Sequence, residues 1–261
     1  MTTMSIINFK GGVGKTVSAI NIAHVLATVR GKRVLLVDCD KQGNVSKFFG
    51  LYGERDVTLA HVLTARKPDA SEAVCHTGYK ELHVIPSDMR LLGANREMLL
   101  DVTRPQQNRL AKALRHVEDL YDYCVIDCAP DINMSVINAL VASRDVLVPV
   151  KIDKFTFDGL AQLSEQIEDL KEFNPGLRLA GCFITMETRN NVNAEGAKWL
   201  EDETDYPLFR TGIRKTVKVD ETTFTGKPIL EYAKDCTAAK DYVKLVEEYL
   251  NDKVPASGGS G

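Results

Sequence analysis

Seven consecutive residues, Lys10-Gly11-Gly12-Val13-Gly14-Lys15-Thr16, combine three glycines with two lysines and a hydroxyl. The residue types suit polyphosphate chemistry. In a glycine-rich turn consecutive backbone N–H groups point inward, and a helix that starts there adds its partial positive charge. Gly11, Gly12 and Gly14 leave no side chain in the way and allow positive φ. Lys15 reaches β- and γ-phosphates, and the Thr16 hydroxyl suits Mg²⁺. An apolar pair (Ile6, Ile7) precedes the turn, and an apolar stripe (Val17, Ile20, Ile22, Ala23, Leu26) follows it. Strand, turn and helix are therefore expected, with nucleotide contacts from Lys10 through Val17. With glycine at its usual frequency, Gly-Gly-x-Gly-Lys-[Ser/Thr] arises by chance on the order of once per thousand chains of this size.

Carboxylates stand where a nucleotide site needs them. The apolar run from Arg33 ends in Asp38-Cys39-Asp40-Lys41-Gln42-Gly43-Asn44. Asp38 and Asp40 alternate onto one side of an extended chain, roughly 7 Å apart. Such groups hold Mg²⁺ through water and orient an attacking water, because phosphoryl transfer needs positioning more than proton abstraction. Asp127 closes a second apolar run, Tyr123-Cys124-Val125-Ile126, and Pro130 follows it. An acidic residue ending a buried strand beside a phosphate loop is the Walker B arrangement, holding Mg²⁺ directly or through water. The expected metal set is Thr16, Asp38 and Asp127.

The elements that must position these groups follow from the hydrophobic pattern. Further strands are expected near Arg33–Asp38, Leu82–Ile85, Tyr123–Asp127, Val146–Val150, Leu179–Ile184 and Leu208–Ile213. Near-continuous apolar runs suit a parallel sheet covered on both faces. Helical periodicity is clearest at Leu160–Phe173 and Ala238–Leu250. The alternation predicts an α/β fold: one doubly wound, mostly parallel sheet flanked by helices, with the ligand beyond the strand C-termini. Residues 51–109 read as a less regular, lid-like region. One ATPase domain is expected over residues 1–254, with 255–261, rich in Gly and Ser, a flexible tail appended to it.

Composition narrows the function classes. The 261 residues carry a formal net charge of −3 with 44% hydrophobic residues, the profile of a soluble globular chain. No apolar run approaches the ~18 residues that span a bilayer. The net charge argues against a uniformly basic nucleic-acid binder but leaves room for a local basic patch. The six cysteines form no Cys-x-x-Cys pair, so reduced thiols and a cytoplasmic location are expected. Cys124 and Cys128, about 13 Å apart along an extended strand, cannot share one metal ion.

The loop also departs from the usual phosphate-loop pattern. Phe9 stands where a glycine is customary, and Lys10 is a second lysine. This form resembles the deviant Walker A motif of the ParA/MinD ATPases, closest to Soj-like ParA proteins. Residues 38–44 resemble the family's Asp-x-Asp-Pro-Gln-Gly-Asn segment, with Lys41 in place of proline, and Asp127 to Pro130 match its hydrophobic-Asp-x-x-Pro pattern. His83 to Ser87, Asp158 to Leu160 and Gly226 to Ile229 look like further landmarks. Ile213 to Thr216 resembles the segment near the adenine, without its proline and asparagine. The likeness covers nearly the whole chain. It implies that Lys10 crosses an ATP-dependent homodimer to the partner's nucleotide, that Asp40 supports hydrolysis, and that Lys10, Lys15 and Asp40 form the catalytic set. It further implies non-specific binding of double-stranded DNA by the dimer and hydrolysis stimulated by a ParB-like centromere-binding protein. With only nine residues before Lys10, the helix-turn-helix extension of the longer plasmid members is not expected.

Arg210, Arg214, Lys215 and Lys218 gather four cations in nine residues, and Arg189 lies in a polar turn where ParA proteins tend to carry a DNA-facing arginine. Arg189, Arg214, Lys215 and Lys218 are the candidate DNA contacts; the bland alternative is a charged strand edge. The competing function is a MinD-like or cargo-positioning ATPase acting on a membrane or protein cargo. Against stable membrane association, the last helix carries acidic residues (Asp241, Glu247, Glu248) on its polar side, which disfavours anionic lipid. A reductase of the nitrogenase iron-protein type would need cysteines facing a dimer axis, and Cys128 alone is near such a place. ATP, Mg²⁺ and a nucleoid-associated state when ATP is bound complete the expectation.

Overall fold

The computed structural model describes residues 1–251 apart from 154, 155, 189 and 205. Seven strands are present among the described residues: β1 (Thr2–Ile6), β2 (Val34–Cys39), β3 (Cys75–His76), β4 (Leu82–Ile85), β5 (Tyr123–Cys128), β6 (Asp145–Val150) and β7 (Arg178–Ile184). They form one sheet in the order β3-β4-β2-β5-β1-β6-β7. Every pairing is parallel except the short β3 against β4. The helices are α1 (Lys15–Thr28), α2 (Asn44–Phe48), α3 (Leu59–Thr64), α4 (Arg90–Leu100), α5 (Arg109–Leu114), α6 (Met134–Ala142), α7 (Thr156–Leu170), α8 (Asn191–Glu203), α9 (Val217–Thr225), α10 (Ile229–Tyr232) and α11 (Thr237–Asn251).

Helices cover both faces, so the central strands are apolar at successive positions. In β2, Val34 and Leu36 pack with α1, α10 and α11, through Ile22, Leu26, Ile229 and Leu245. Leu35, Val37 and Cys39 point the other way, into a core shared with Leu63, Met98, Leu110, Leu140 and Leu163. β1 lies between β5 and β6, where the winding of the sheet changes direction. The phosphate loop leaves the C-terminal end of that strand, the position where open α/β sheets bind ligands.

Three expectations are corrected. Residues 208–213 are not a strand. The segment runs beside β7, with Phe209 N–H on the Cys182 carbonyl (2.8 Å) and Ile213 N–H on the Ile184 carbonyl (2.7 Å). Between those points the Glu248 carboxylate of α11 takes the N–H groups of Arg210 (2.6 Å) and Thr211 (3.0 Å), pulling the chain out of the ladder. Residues 51–109 are no lid: α3, β3, β4 and α4 belong to the body, and Leu59, Leu63, Leu91 and Met98 are core residues. Helix α7 ends at Leu170, before Phe173. The domain limit expected at residue 254 and the tail lie outside the described residues.

Candidate nucleotide site

The phosphate loop is an open concave turn. Gly12 (φ 72°) and Gly14 (φ 85°) occupy the left-handed region, and a Cβ built at Gly11, Gly12 or Gly14 meets nothing within 4 Å. Left-handed backbone turns successive amides inward, and the empty space above them is the volume a phosphate fills. Two residues outside the motif shape the loop. Asn8 donates from Nδ2 to the Pro149 carbonyl (2.9 Å) and accepts the Lys10 N–H at Oδ1 (2.9 Å), tying the turn to the end of β6. The Thr185 hydroxyl donates to the Val13 carbonyl (2.8 Å). Val17 follows in the first turn of α1.

The two lysines differ in their partners. Lys15 is buried and its ammonium donates to the Lys10 carbonyl (2.8 Å) across the mouth of the turn. Burial lowers its pKa, while Asp127 and Asp40 favour the charged form. Lys10 is partly exposed and forms an ion pair with Asp153 of the same chain, beyond β6.

β2 and β5 carry Asp38 and Asp127 as direct register partners, and Ile6 of β1 is level with Asp127. Asp38 is fully buried. Its Oδ2 accepts from the Ser46 hydroxyl (2.6 Å) and N–H (2.8 Å), and its Oδ1 from the Asp40 N–H (3.3 Å). Burial pushes its carboxyl up to about 7 against the pull of these donors. Asp127 has both oxygens buried without a hydrogen-bond partner. Burial and then Asp38 push its carboxyl well above the usual range; the nearby Thr16 hydroxyl, which falls outside hydrogen-bonding geometry, and Lys15 oppose them. An orphaned buried carboxylate demands an explanation. A hard divalent cation with oxygen ligands supplies one, and the Thr16 hydroxyl faces the same place, so Mg²⁺ fits the residues present.

Asp40 heads a tight turn. Its Oδ1 accepts the Gln42 N–H (2.9 Å) and its carbonyl the Gly43 N–H (2.9 Å). Gly43 (φ 61°) is indispensable, since a Cβ there would lie 2.4 Å from the Tyr52 ring and 2.7 Å from the Ser87 carbonyl. The turn closes without proline, and Lys41 extends toward Asp131 (4.0 Å), in the loop after β5. A cavity beside the loop is lined by Gly14, Val17, Met186, Lys215, Val219 and Tyr242. Met186 has φ 53°, an uncommon conformation for a side-chain-bearing residue and one that gathers at functional sites. Residues 213–216 border this cavity.

The candidate DNA contacts are not gathered as free cations. The Arg214 guanidinium is held by buried Asp241 at 2.9 and 2.5 Å. Lys218 pairs with Glu221 at 2.7 Å on the surface, while Lys215 and Arg210 are exposed. Arg189 lies outside the described residues. Cys128 is buried and its thiol is pushed up to about 12 by that burial, so it faces no surface that a dimer axis could use. Asn8, Thr185, Asp153 and Ser46 are site residues that reading the sequence missed. A polar residue ending an apolar strand run, as at Asn8 and Thr185, was the available signal.

Loop, strand ends and sheet order together define a P-loop nucleotide-binding protein of the doubly wound class. A family profile described as an AAA domain matches residues 1–179. The chromosome partitioning protein ParA of Caulobacter vibrioides is 36% identical over 256 residues, 96% of this chain and 94% of that one. The sporulation initiation inhibitor protein Soj of Bacillus subtilis is 34% identical over 250 residues, 94% and 96% respectively. The chain belongs to the ParA/MinD family of P-loop ATPases. Cobyrinic acid a,c-diamide synthase of Mycobacterium smegmatis, solved with ADP and magnesium, superposes with a TM-score of 0.83 at 26% identity, over 96% of this chain and 94% of that one.

Proposed function

We propose that this protein is a partition ATPase that dimerises on binding ATP, coats DNA without sequence preference as a dimer, and is released when a ParB-like partner stimulates hydrolysis. The observation that carries the reading is a two-lysine phosphate loop leaving β1 beside the unsatisfied Asp127 carboxylate, which is level with Ile6 at the end of that strand. Its likeness to the ParA and Soj proteins supports the partition role. Residues 1–254 act as one ATPase unit.

The loop amides and Lys15 bind the phosphates, and Thr16, Asp127 and Asp38 hold Mg²⁺ directly or through water. When bound, Mg²⁺ neutralises charge on the transferring phosphoryl group. Asp40 orients the attacking water. Lys10 reaches the nucleotide of the second protomer, for which its pair with Asp153 must open. Lys215, Lys218 and Arg189 supply phosphate contacts to DNA. A membrane-cycling role is disfavoured by α11, whose apolar residues Tyr242, Leu245, Val246 and Tyr249 are buried in the body. No helix among the described residues is long and apolar enough to cross a membrane.

Co-sedimentation with a random duplex tests the proposal, run with ATP, with ADP and without nucleotide. Pelleting in ATP alone, lost in Lys15→Ala, is the expected result. Pelleting independent of nucleotide, or none, overturns the DNA-partition reading.

A further inference from the structure

The segment from Asp38 to Ser46 is fastened to the backbone of Ser87, just after β4. Ser46 is fully buried in the first turn of α2. Its hydroxyl donates to Asp38 Oδ2 (2.6 Å) and accepts the Ser87 N–H (2.7 Å), and its own N–H reaches the same Asp38 oxygen (2.8 Å). Three residues earlier, Gly43 sits so close to the Ser87 carbonyl that a Cβ would stand 2.7 Å from it. The Ser87 peptide thus meets the segment with both its N–H and its C=O. Asp38 Oδ2 is doubly held, which turns Oδ1 toward the Asp40 N–H (3.3 Å).

We infer that Ser46 is a positioning residue for ATP hydrolysis: it fixes the Asp38 carboxylate opposite Asp127 and seats the Asp40 turn on Ser87. The inference rests on the ATPase reading above. Removing the hydroxyl leaves Asp38 with one of its two Oδ2 donors and strands the buried Ser87 N–H. A residue with a merely structural role would change stability alone, leaving turnover per folded molecule and the Mg²⁺ requirement where they were.

The test compares the full-length parent with Ser46→Ala and Ser46→Thr in three measurements: binding of a fluorescent ATP analogue without Mg²⁺, the Mg²⁺ concentration for half-maximal hydrolysis, and kcat at saturating Mg²⁺. Ser46→Ala should bind the analogue within about twofold of the parent, yet need about tenfold more Mg²⁺ and turn over about tenfold more slowly. Ser46→Thr, which keeps the hydroxyl, should restore both within about threefold. Parental kcat and Mg²⁺ dependence in Ser46→Ala, or no rescue by Thr, overturns the inference. If Ser46→Ala fails to fold, Ser46→Cys, with its weak donor, takes its place under the same expectations. A parent that hydrolyses no ATP sinks the ATPase reading instead. Mg²⁺ enhancement of analogue binding then decides: its loss in Ser46→Ala supports the role of Ser46, and its retention overturns it.

Discussion

His24 offers a measurement of the fold that is independent of any ligand. It lies on α1, 3% exposed, with both ring nitrogens buried and unpartnered and its ring edge-on to Tyr79 at 4.8 Å. Burial, opposed only in part by Glu231, lowers its pKa from the usual 6.5 to about 4. The fold therefore keeps His24 neutral where the unfolded chain takes up a proton. Its stability contribution is intact above the unfolded value and falls as the pH drops from 6.5 toward 4. At about 1.36 kcal/mol per unit, the loss amounts to about 2 kcal/mol near pH 5 and about 3 kcal/mol near pH 4. His24→Leu abolishes this term. Urea unfolding of parent and variant at about pH 7.5 and about pH 5 should show their difference shifting by about 2 kcal/mol in favour of the variant at the lower pH. Subtracting the variant matters because Asp38 and Asp127 act in the opposite sense. Their raised carboxyls retain protons that the unfolded chain releases, so their contribution declines as pH rises above the usual carboxylate range. A difference that does not change with pH would refute the assignment of a dry, neutral His24.

Four further outcomes are expected. Lys10→Ala should bind ATP but fail to dimerise, and light scattering with ATP checks it; a parental dimer fraction removes the trans-acting role. Asp40→Ala should bind ATP and dimerise yet hydrolyse poorly, so that phosphate release is slow while DNA retention persists; parental hydrolysis would transfer the role, with Asp38 next in line. Lys215→Ala with Lys218→Ala should remove about four phosphate contacts per dimer and flatten the slope of log K against log salt by about 3 to 4 units. Arg214→Ala, by contrast, should barely change that slope but lower the melting temperature, because it leaves buried Asp241 without its cation. An unchanged slope in the double lysine variant would show that the patch is a solvated edge.

The parts of the site that could be read from the sequence are those carried by local pattern. Lys10 to Thr16 announce themselves because a strand, three glycines and an amphipathic helix are contiguous, and Asp38 and Asp127 because each terminates an apolar run. What resisted reading depends on partners far away in the chain. The pair between Lys10 and Asp153 spans 143 positions, and the bonds that lift residues 210 and 211 from the sheet come from a glutamate 38 and 37 positions on. Four clustered cations suggested one basic patch, yet Asp241, on a helix 27 positions away, claims Arg214. β3, two residues long, carries no period to detect. The segment 51–109 looked irregular because its elements are short, although their apolar residues complete the core.

The fastening of residues 210–214 to Asp241 and Glu248 has a consequence for how the chain matures during synthesis. The phosphate loop emerges from the ribosome well ahead of the helix that shapes the far wall of the adjoining cavity, with Tyr242 bonded to Ser18 (3.1 Å) across 224 positions. At 5–20 residues per second that interval is roughly ten to fifty seconds. Throughout it the nascent chain carries a phosphate-binding turn without a completed pocket beside it. A closed cavity beside the loop is thereby reserved for chains in which α11 has already been added.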